Sequence, residues 1–209
     1  MIKRIIGVLL GIIFLFVGVT FAQDIEKYSV HIYSIGFEGI GSCTGTVIDE
    51  TDNSSTVLTC KHCVSVDQES YVDNKKVIKV MTSSGEDLAI LVTDEKIPNK
   101  EIAKFSPYDG LINDRVYIYG KPGFTVTHQR DGRIITFTNE WGFAQLNVVA
   151  GCSGSGLFND KNEIIGVVWG AYSEPASAKH RFLQMFDEHD IGIFTPLFKI
   201  RNFLNKLAK

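Results

Sequence analysis

From Tyr28 onward, apolar and polar residues alternate in short runs, broken by Gly, Asn, Asp and Pro at intervals of about 8 to 12 residues. Tyr28 to Ile35 is close to strict alternation, as expected of a strand with one face buried. Gly45 to Ile48 and Thr56 to Thr59 are two more strand candidates, on either side of the turn-rich Asp49 to Ser55. Val77 to Val80 and Leu88 to Val92 follow, then Arg115 to Gly120, which Lys121-Pro122-Gly123 ends. Arg133 to Thr138 and Glu163 to Trp169 complete the set, whereas Asp67 to Asn74 reads as a polar turn. β-Branched and aromatic residues dominate these runs, so the pattern predicts an all-β sandwich or barrel. One helix is predicted, at the end of the chain. Leu197, Ile200, Phe203, Leu204 and Leu207 recur at helical spacing, and Pro196 stands just before them. There is no internal repeat, low-complexity tract or long linker.

The opening residues follow a different rule. Lys3 and Arg4 give a positive start, an uncharged apolar run extends from Ile5 to Val19, and Thr20-Phe21-Ala22 offers small residues at the positions a signal peptidase inspects. Residues 1–22 therefore read as a secretory signal cut after Ala22. The alternative is an uncleaved membrane anchor over residues 5–22, since roughly 15 to 18 apolar residues is the short limit for a span. Either way the remainder faces an exported compartment, and after cleavage no stable membrane association is expected.

With 209 residues, 44% of them hydrophobic, the chain can bury a core as one compact unit or two small ones. The formal net charge of -3 excludes the strongly basic field of a nucleic-acid binder, and short clusters such as Lys75-Lys76 read as solvated surface. Four cysteines, Cys43, Cys60, Cys63 and Cys152, in an exported protein predict two disulfides, and the sequence leaves all three pairings open.

Three segments carry the candidate chemistry: Gly41 to Ile48 with Val57 to Val64, Glu86 to Leu91, and Gly151 to Asn159 with Ile165 to Gly170. Acyl transfer accounts for this combination of residue types. A serine hydroxyl is a weak nucleophile at neutral pH and needs an adjacent base. Histidine suits that role. Its imidazole needs a carboxylate to fix the tautomer and stabilise the charged form. The developing oxyanion needs backbone N–H donors already in place. A glycine two residues before the serine permits the sharp turn that aims two such donors at one point. The candidates are His62 as base, Asp87 as carboxylate, Ser153 as nucleophile, and the N–H groups of Gly151 and Ser153 as oxyanion donors. Glu86 and Asp94 are the nearest rivals to Asp87, and Ser155 lacks this glycine arrangement.

The order His, Asp, Ser resembles that of the chymotrypsin/trypsin-like serine proteases and differs from subtilisins and α/β-hydrolases. Thr59-Cys60-Lys61-His62-Cys63 resembles that family's Thr-Ala-Ala-His-Cys. Asp87-Leu88-Ala89-Ile90-Leu91 resembles its Asp-Ile/Leu-Ala-Leu-Leu. Gly151 to Asn159 is similar to the Gly-Asn-Ser-Gly-Gly-Pro-Leu-Phe-Asn of the bacterial HtrA-like and glutamyl-endopeptidase-like branch, here with no peptide-binding accessory module. Val168-Trp169-Gly170 resembles Ser-Trp-Gly, and Gly192 to Thr195 resembles Gly-Val-Tyr-Thr. The resemblance implies two antiparallel six-stranded β-barrels and a C-terminal helix. Residues 23–104 would form the barrel bearing His62 and Asp87, and residues 105–209 the barrel bearing Ser153 and the helix. It implies a secreted serine endopeptidase that acts on polypeptides without cofactor or metal; oligomeric state is left open.

The resemblance also implies a Cys43–Cys63 disulfide beside the histidine, which leaves Cys60 to pair with Cys152 across the barrels. Cys152 stands where trypsin-like enzymes place the aspartate that receives a newly cut N-terminus. Activity without N-terminal activation is therefore expected. Asn147 and Val148 would form the base of the primary pocket, with Val168, Trp169, Gly170 and Gly192 along its walls and the substrate strand. A neutral base predicts an uncharged P1 side chain, because no carboxylate is there to pair a buried cation.

Other readings of the same residues exist. Cys60-Lys61-His62-Cys63 is also a C-x-x-C motif of thiol oxidoreductases, although no amphipathic helix follows it. Cys60, His62 and Cys63 contain zinc-ligand types at a spacing too tight for a finger. A non-catalytic binding module could use the same fold. His31, His128, His180 and His189 lie in no motif and read as solvated or hydrogen-bonded, and Asn53-Ser54-Ser55 fits a glycosylation acceptor.

Overall fold

The computed structural model describes residues 22–36, 39–64, 68–172 and 190–208. The leader expected over residues 1–22 lies outside them except for Ala22, as do His180 and His189. Among the described residues no helix is long and apolar enough to cross a membrane.

Six strands form the first barrel: β1 (Ser29–Gly36), β2 (Gly39–Glu50), β3 (Ser55–Thr59), β4 (Glu69–Val72), β5 (Lys75–Thr82) and β6 (Ala89–Thr93). They close in the order β1-β2-β3-β6-β5-β4, with every pairing antiparallel. Val30 and Ile32 of β1, Val47 of β2, Val57 and Leu58 of β3 and Leu91 of β6 fill its core. Strand β4 has the required alternation, but one of its buried residues is Ser70, whose hydroxyl bonds Ser34 Oγ at 2.8 Å. That satisfied polar residue is why the segment reads as a turn in sequence. The true turn is Asp73-Asn74, both at positive φ, which joins β4 to β5 as a tight hairpin.

The second sheet contains β7 (Lys104–Phe105), β8 (Arg115–Gly120), β9 (His128–Phe137), β10 (Gly142–Gln145), β11 (Gly156–Phe158), β12 (Glu163–Ala171) and β13 (Ile191–Pro196). Pairing of β11 with both β8 and β12 closes a second six-stranded antiparallel ring. Strand β7 adds to the outside of β12 in the parallel sense. Val116, Ile118, Leu146, Leu157, Val168 and Phe194 form the core of this ring.

Helix α1 (Leu197–Leu207) follows β13 directly, with Pro196 at its N-cap, where the missing N–H costs nothing. Leu197, Ile200 and Phe203 are buried on one face. Ile200 and Phe203 join the first barrel's core cluster, so the last helix of the second half anchors the two barrels to each other. Burying each such side chain stabilises the fold by about 1.5–3 kcal/mol.

Candidate active site

His62 lies on the single 3-10 turn Lys61–Cys63 that ends β3. Asp87 lies in the loop between β5 and β6, just before the buried Leu88. Ser83 organises that loop. Its N–H donates to the Leu88 carbonyl at 2.9 Å, and its hydroxyl accepts the Glu86 N–H at 3.1 Å and donates to the Glu86 carboxylate at 2.6 Å. Asp87 is thereby aimed at His62 rather than at solvent. Its Oδ1 accepts the His62 backbone N–H at 2.9 Å, and its Oδ2 lies 2.5 Å from His62 Nδ1. Burial raises the Asp87 pKa, but the hydrogen bonds from His62 and from the Lys61 N–H outweigh it and hold the carboxyl below its ordinary value. The imidazole is 43% exposed and the carboxylate 19%, so the pair faces an open cleft.

Ser153 comes from the loop between β10 and β11, which the first barrel holds in place. Thr44 does most of this: its N–H donates to the Ser153 carbonyl at 2.9 Å, and its hydroxyl donates to the Gly151 carbonyl at 2.8 Å. Gly151 and Gly154 adopt φ of +88° and +86°. At Gly154 a Cβ would stand 2.1 Å from both the Thr44 carbonyl and Thr59 Oγ1, so only glycine fits. The Ser153 hydroxyl donates to the Trp169 carbonyl at 2.9 Å. The Trp169 ring meets the His62 ring edge-on, with centroids 6.1 Å apart. Serine and histidine therefore share one neighbour across the cleft. Among the described residues, neither the Gly151 nor the Ser153 N–H is spent on a hydrogen bond.

The cysteines divide differently from the expectation. Cys43 and Cys63 are joined with Cα atoms 5.8 Å apart, and this bond fastens the histidine turn to β2. Cys60 and Cys152 are not joined; each is a free, buried thiol. The reason is depth relative to β12. Cys60 belongs to the first core and donates to the Val168 carbonyl at 3.2 Å, whereas Cys152 packs in the second core and crowds Gly120. Burial pushes both thiols up in pKa, and for Cys60 the nearby Asp87 charge adds to it. The C-x-x-C reading loses its disulfide, since Cys63 is bonded elsewhere and β4, not a helix, is the next element.

Of the expected pocket residues, Val148 is buried and packs against Gly192, where a Cβ would come within 2.9 Å of it. Val168 is buried in β12, and Gly170 faces open space. Asn147 is half-buried, with its carbonyl accepting from His128 Nε2 at 3.0 Å. The sequence reading omitted Asp190, whose Oδ1 lies 3.5 Å from the Asn147 amide nitrogen, so the base is not free of charge. It also omitted Trp141, which stacks obliquely on Trp169 at 5.6 Å. Trp141, Trp169, Glu140, Thr195 and Lys199 line a cavity of about 420 Å³ that reaches Asp87. His31 and His128 are buried and, of the two expected alternatives, hydrogen-bonded: His31 Nε2 bonds Ser42 Oγ at 2.8 Å and His128 Nε2 the Asn147 carbonyl.

Residues 43–167 match the trypsin-like peptidase domain family. Glutamyl endopeptidases of Staphylococcus aureus, strains MW2 and MSSA476 among them, are 27% identical over 177 residues, covering 71% of this chain. The chain spans about half the length of these curated relatives, 54% of the MW2 protein. In fold it is similar to the active form of the Rv3671c protease from M. tuberculosis, with TM-score 0.66 and 21% identity, over 87% of this chain and 81% of that one. It is also similar to a scabies mite inactivated protease paralogue, with TM-score 0.64 and 15% identity, over 90% and 97%.

Proposed function

The chain belongs to the trypsin-like peptidase domain family, and from that premise we propose that it is an exported serine endopeptidase working through Ser153, His62 and Asp87. The observation that carries the reading is the paired contact of Asp87 with the backbone N–H and Nδ1 of His62. With Nδ1–H held by the carboxylate, the Nε2 lone pair is left to act as base. Ser153 turns from the Trp169 carbonyl toward Nε2 and attacks the substrate carbonyl as its proton passes to His62. The N–H groups of Gly151 and Ser153 receive the oxyanion. His62 then protonates the leaving amine, and water deacylates Ser153 by the same route in reverse. No cofactor or metal is needed for these steps. Export is supported by the apolar leader and by the Cys43–Cys63 bond, which persists in an oxidising compartment.

A neutral Cys152 buried under the serine loop supports activity without N-terminal activation, because it offers no charge to an incoming ammonium. Val148, Gly192 and Asn147 support an uncharged P1 side chain, and Asp190, though a carboxylate beside Asn147, is exposed and solvated rather than buried, so it does not demand a cationic partner. The Staphylococcus aureus relatives are named for glutamate, but a P1 carboxylate here would meet the like charge of Asp190 beside Asn147. A digest of a peptide library by the wild type and by Ser153→Ala tests the proposal. Cleavage after uncharged residues is expected, with turnover reduced at least about 10³-fold in the variant. Cleavage of equal rate in both proteins, or none in either, would remove the serine-protease reading.

A further inference from the structure

Catalysis as described makes no use of Cys60, and the protease segment it resembles carries alanine there. Yet Cys60 Sγ lies directly behind the catalytic pair. Cys60 Sγ, a ring nitrogen of His62 and a carboxylate oxygen of Asp87 all lie within 4.8 Å of one another. Cys63, the other cysteine of the motif, is held in its disulfide and is no ligand. The donor set is therefore one sulfur and one nitrogen from the histidine turn and one oxygen from the loop that carries Asp87.

We propose that Cys60, His62 and Asp87 form a site for a thiophilic divalent cation of the Zn²⁺ class, and that occupation of this site switches the protease off. The inference rests on the protease reading for its consequence, but not for the site itself. In a tetrahedral zinc site, bond lengths of about 2.3 Å to sulfur and about 2.0–2.1 Å to nitrogen and oxygen place neighbouring donors about 3.3–3.6 Å apart. The three donors reach that spacing with shifts of roughly an ångström. Thiolate and carboxylate together match the charge of a divalent ion, with a neutral imidazole as third ligand. A thiolate disfavours Mg²⁺ and Ca²⁺ and favours Zn²⁺ or Cd²⁺. Water would complete the coordination from the cleft side, where the His62 ring is 43% exposed.

The proton balance is explicit. The Cys60 thiol gives its proton to solvent as the metal–sulfur bond forms. The metal takes the Nδ1 lone pair, so the ring proton moves from Nδ1 to Nε2 and the imidazole stays neutral. A ring protonated at Nε2 cannot accept the Ser153 proton, and Asp87 no longer orients it. Cys60 is fully buried, so the ion reaches it only as His62 swings outward, and inhibition should develop slowly.

The test titrates Zn²⁺, with Mg²⁺ as control, into wild type, Cys60→Ala, Cys60→Ser and Cys152→Ala. Activity is followed on a peptide substrate. Separately, Co²⁺ binding is followed by its thiolate charge-transfer absorption, which needs no turnover. The proposal expects Zn²⁺ but not Mg²⁺ to inhibit wild type and Cys152→Ala, reversed by a chelator, with the cobalt band present in both. In Cys60→Ala the band should vanish and half-inhibition should need about 100-fold more Zn²⁺, since even outer-shell partners of a metal are worth 10–100-fold in affinity. Cys60→Ser serves the same purpose should the alanine variant not fold. A wild type without the band, equal inhibition of the Cys60 variants, or loss of the band in Cys152→Ala would each overturn it. Should the protein cleave no peptide, the protease reading falls while the cobalt band still decides the metal site.

Discussion

Replacing Asp87 by asparagine changes one atom of the pair and reverses what His62 can do. The carboxylate accepts on both oxygens, from the His62 backbone N–H at 2.9 Å and from Nδ1 at 2.5 Å. Asparagine keeps one acceptor, and the backbone N–H groups of Lys61 and His62 claim it. Its NH₂ then faces Nδ1, where two donors cannot meet, so the ring takes the Nε2–H tautomer. The base that should receive the Ser153 proton is already protonated. The expected loss in kcat is about 10⁴-fold, the size that a wrong tautomer produces elsewhere in this type of triad, equivalent to about 5.5 kcal/mol of transition-state stabilisation. The fold should survive, because the side chain keeps its shape and its backbone contact. The assay is kcat against peptide substrate alongside thermal melts over pH. The Asp87 pKa is depressed in the folded state, so its contribution to stability is present above the unfolded value near 4 and is lost as pH falls through the folded one. The difference in melting temperature between wild type and variant should therefore shrink in acid. A loss in kcat below tenfold, in a variant that melts normally, would refute the role given to Asp87.

Gly154→Ala should lower stability by about 2–5 kcal/mol in urea titration, combining a strained positive φ with the disturbed Thr59-to-Thr44 hydrogen bond; an unchanged midpoint would mean that the serine loop is not held as described. Removing the Cys43–Cys63 bond, which spans a sequence separation of 20, should cost about 3 kcal/mol, read from the same titration, and should loosen the histidine turn. Burial, helped by Lys121, lowers the Lys100 pKa to about 8 against the pull of Asp73. Its charge therefore opposes folding below that pH, and Lys100→Met should raise the melting temperature at pH 7. That advantage should shrink between pH 8 and the unfolded lysine value near 10.5, because there the folded wild type sheds the proton that opposes it.

The parts that were legible in sequence are those written locally. His62, Asp87 and Ser153 each sit in a short motif whose neighbours make the turn: Gly154 allows the close approach to Thr44, and Leu88 buries the strand behind Asp87. The β-branched and aromatic runs of β1, β8 and β12, buried along most of their length, and the helical spacing of α1 are similarly self-contained. What was not legible depends on depth and on distant partners. Strand β4 hid because its inward Ser70 finds Ser34 on another strand. Strand β10 is four residues long, too short to show a period. The Cys60–Cys152 pairing fails because the two thiols belong to different cores. Asp190 and Trp141 enter the cleft only through the pairing of β10 with β13 and the loops around it, which no local pattern announces.

The most direct measurement of the central claim is labelling of the intact protein by a fluorophosphonate, followed by peptide mapping. An activated serine backed by an oriented imidazole should carry one phosphonyl adduct, on Ser153, formed at a rate that collapses in His62→Ala. No adduct, or one at another serine with the same rate in both proteins, would contradict the account.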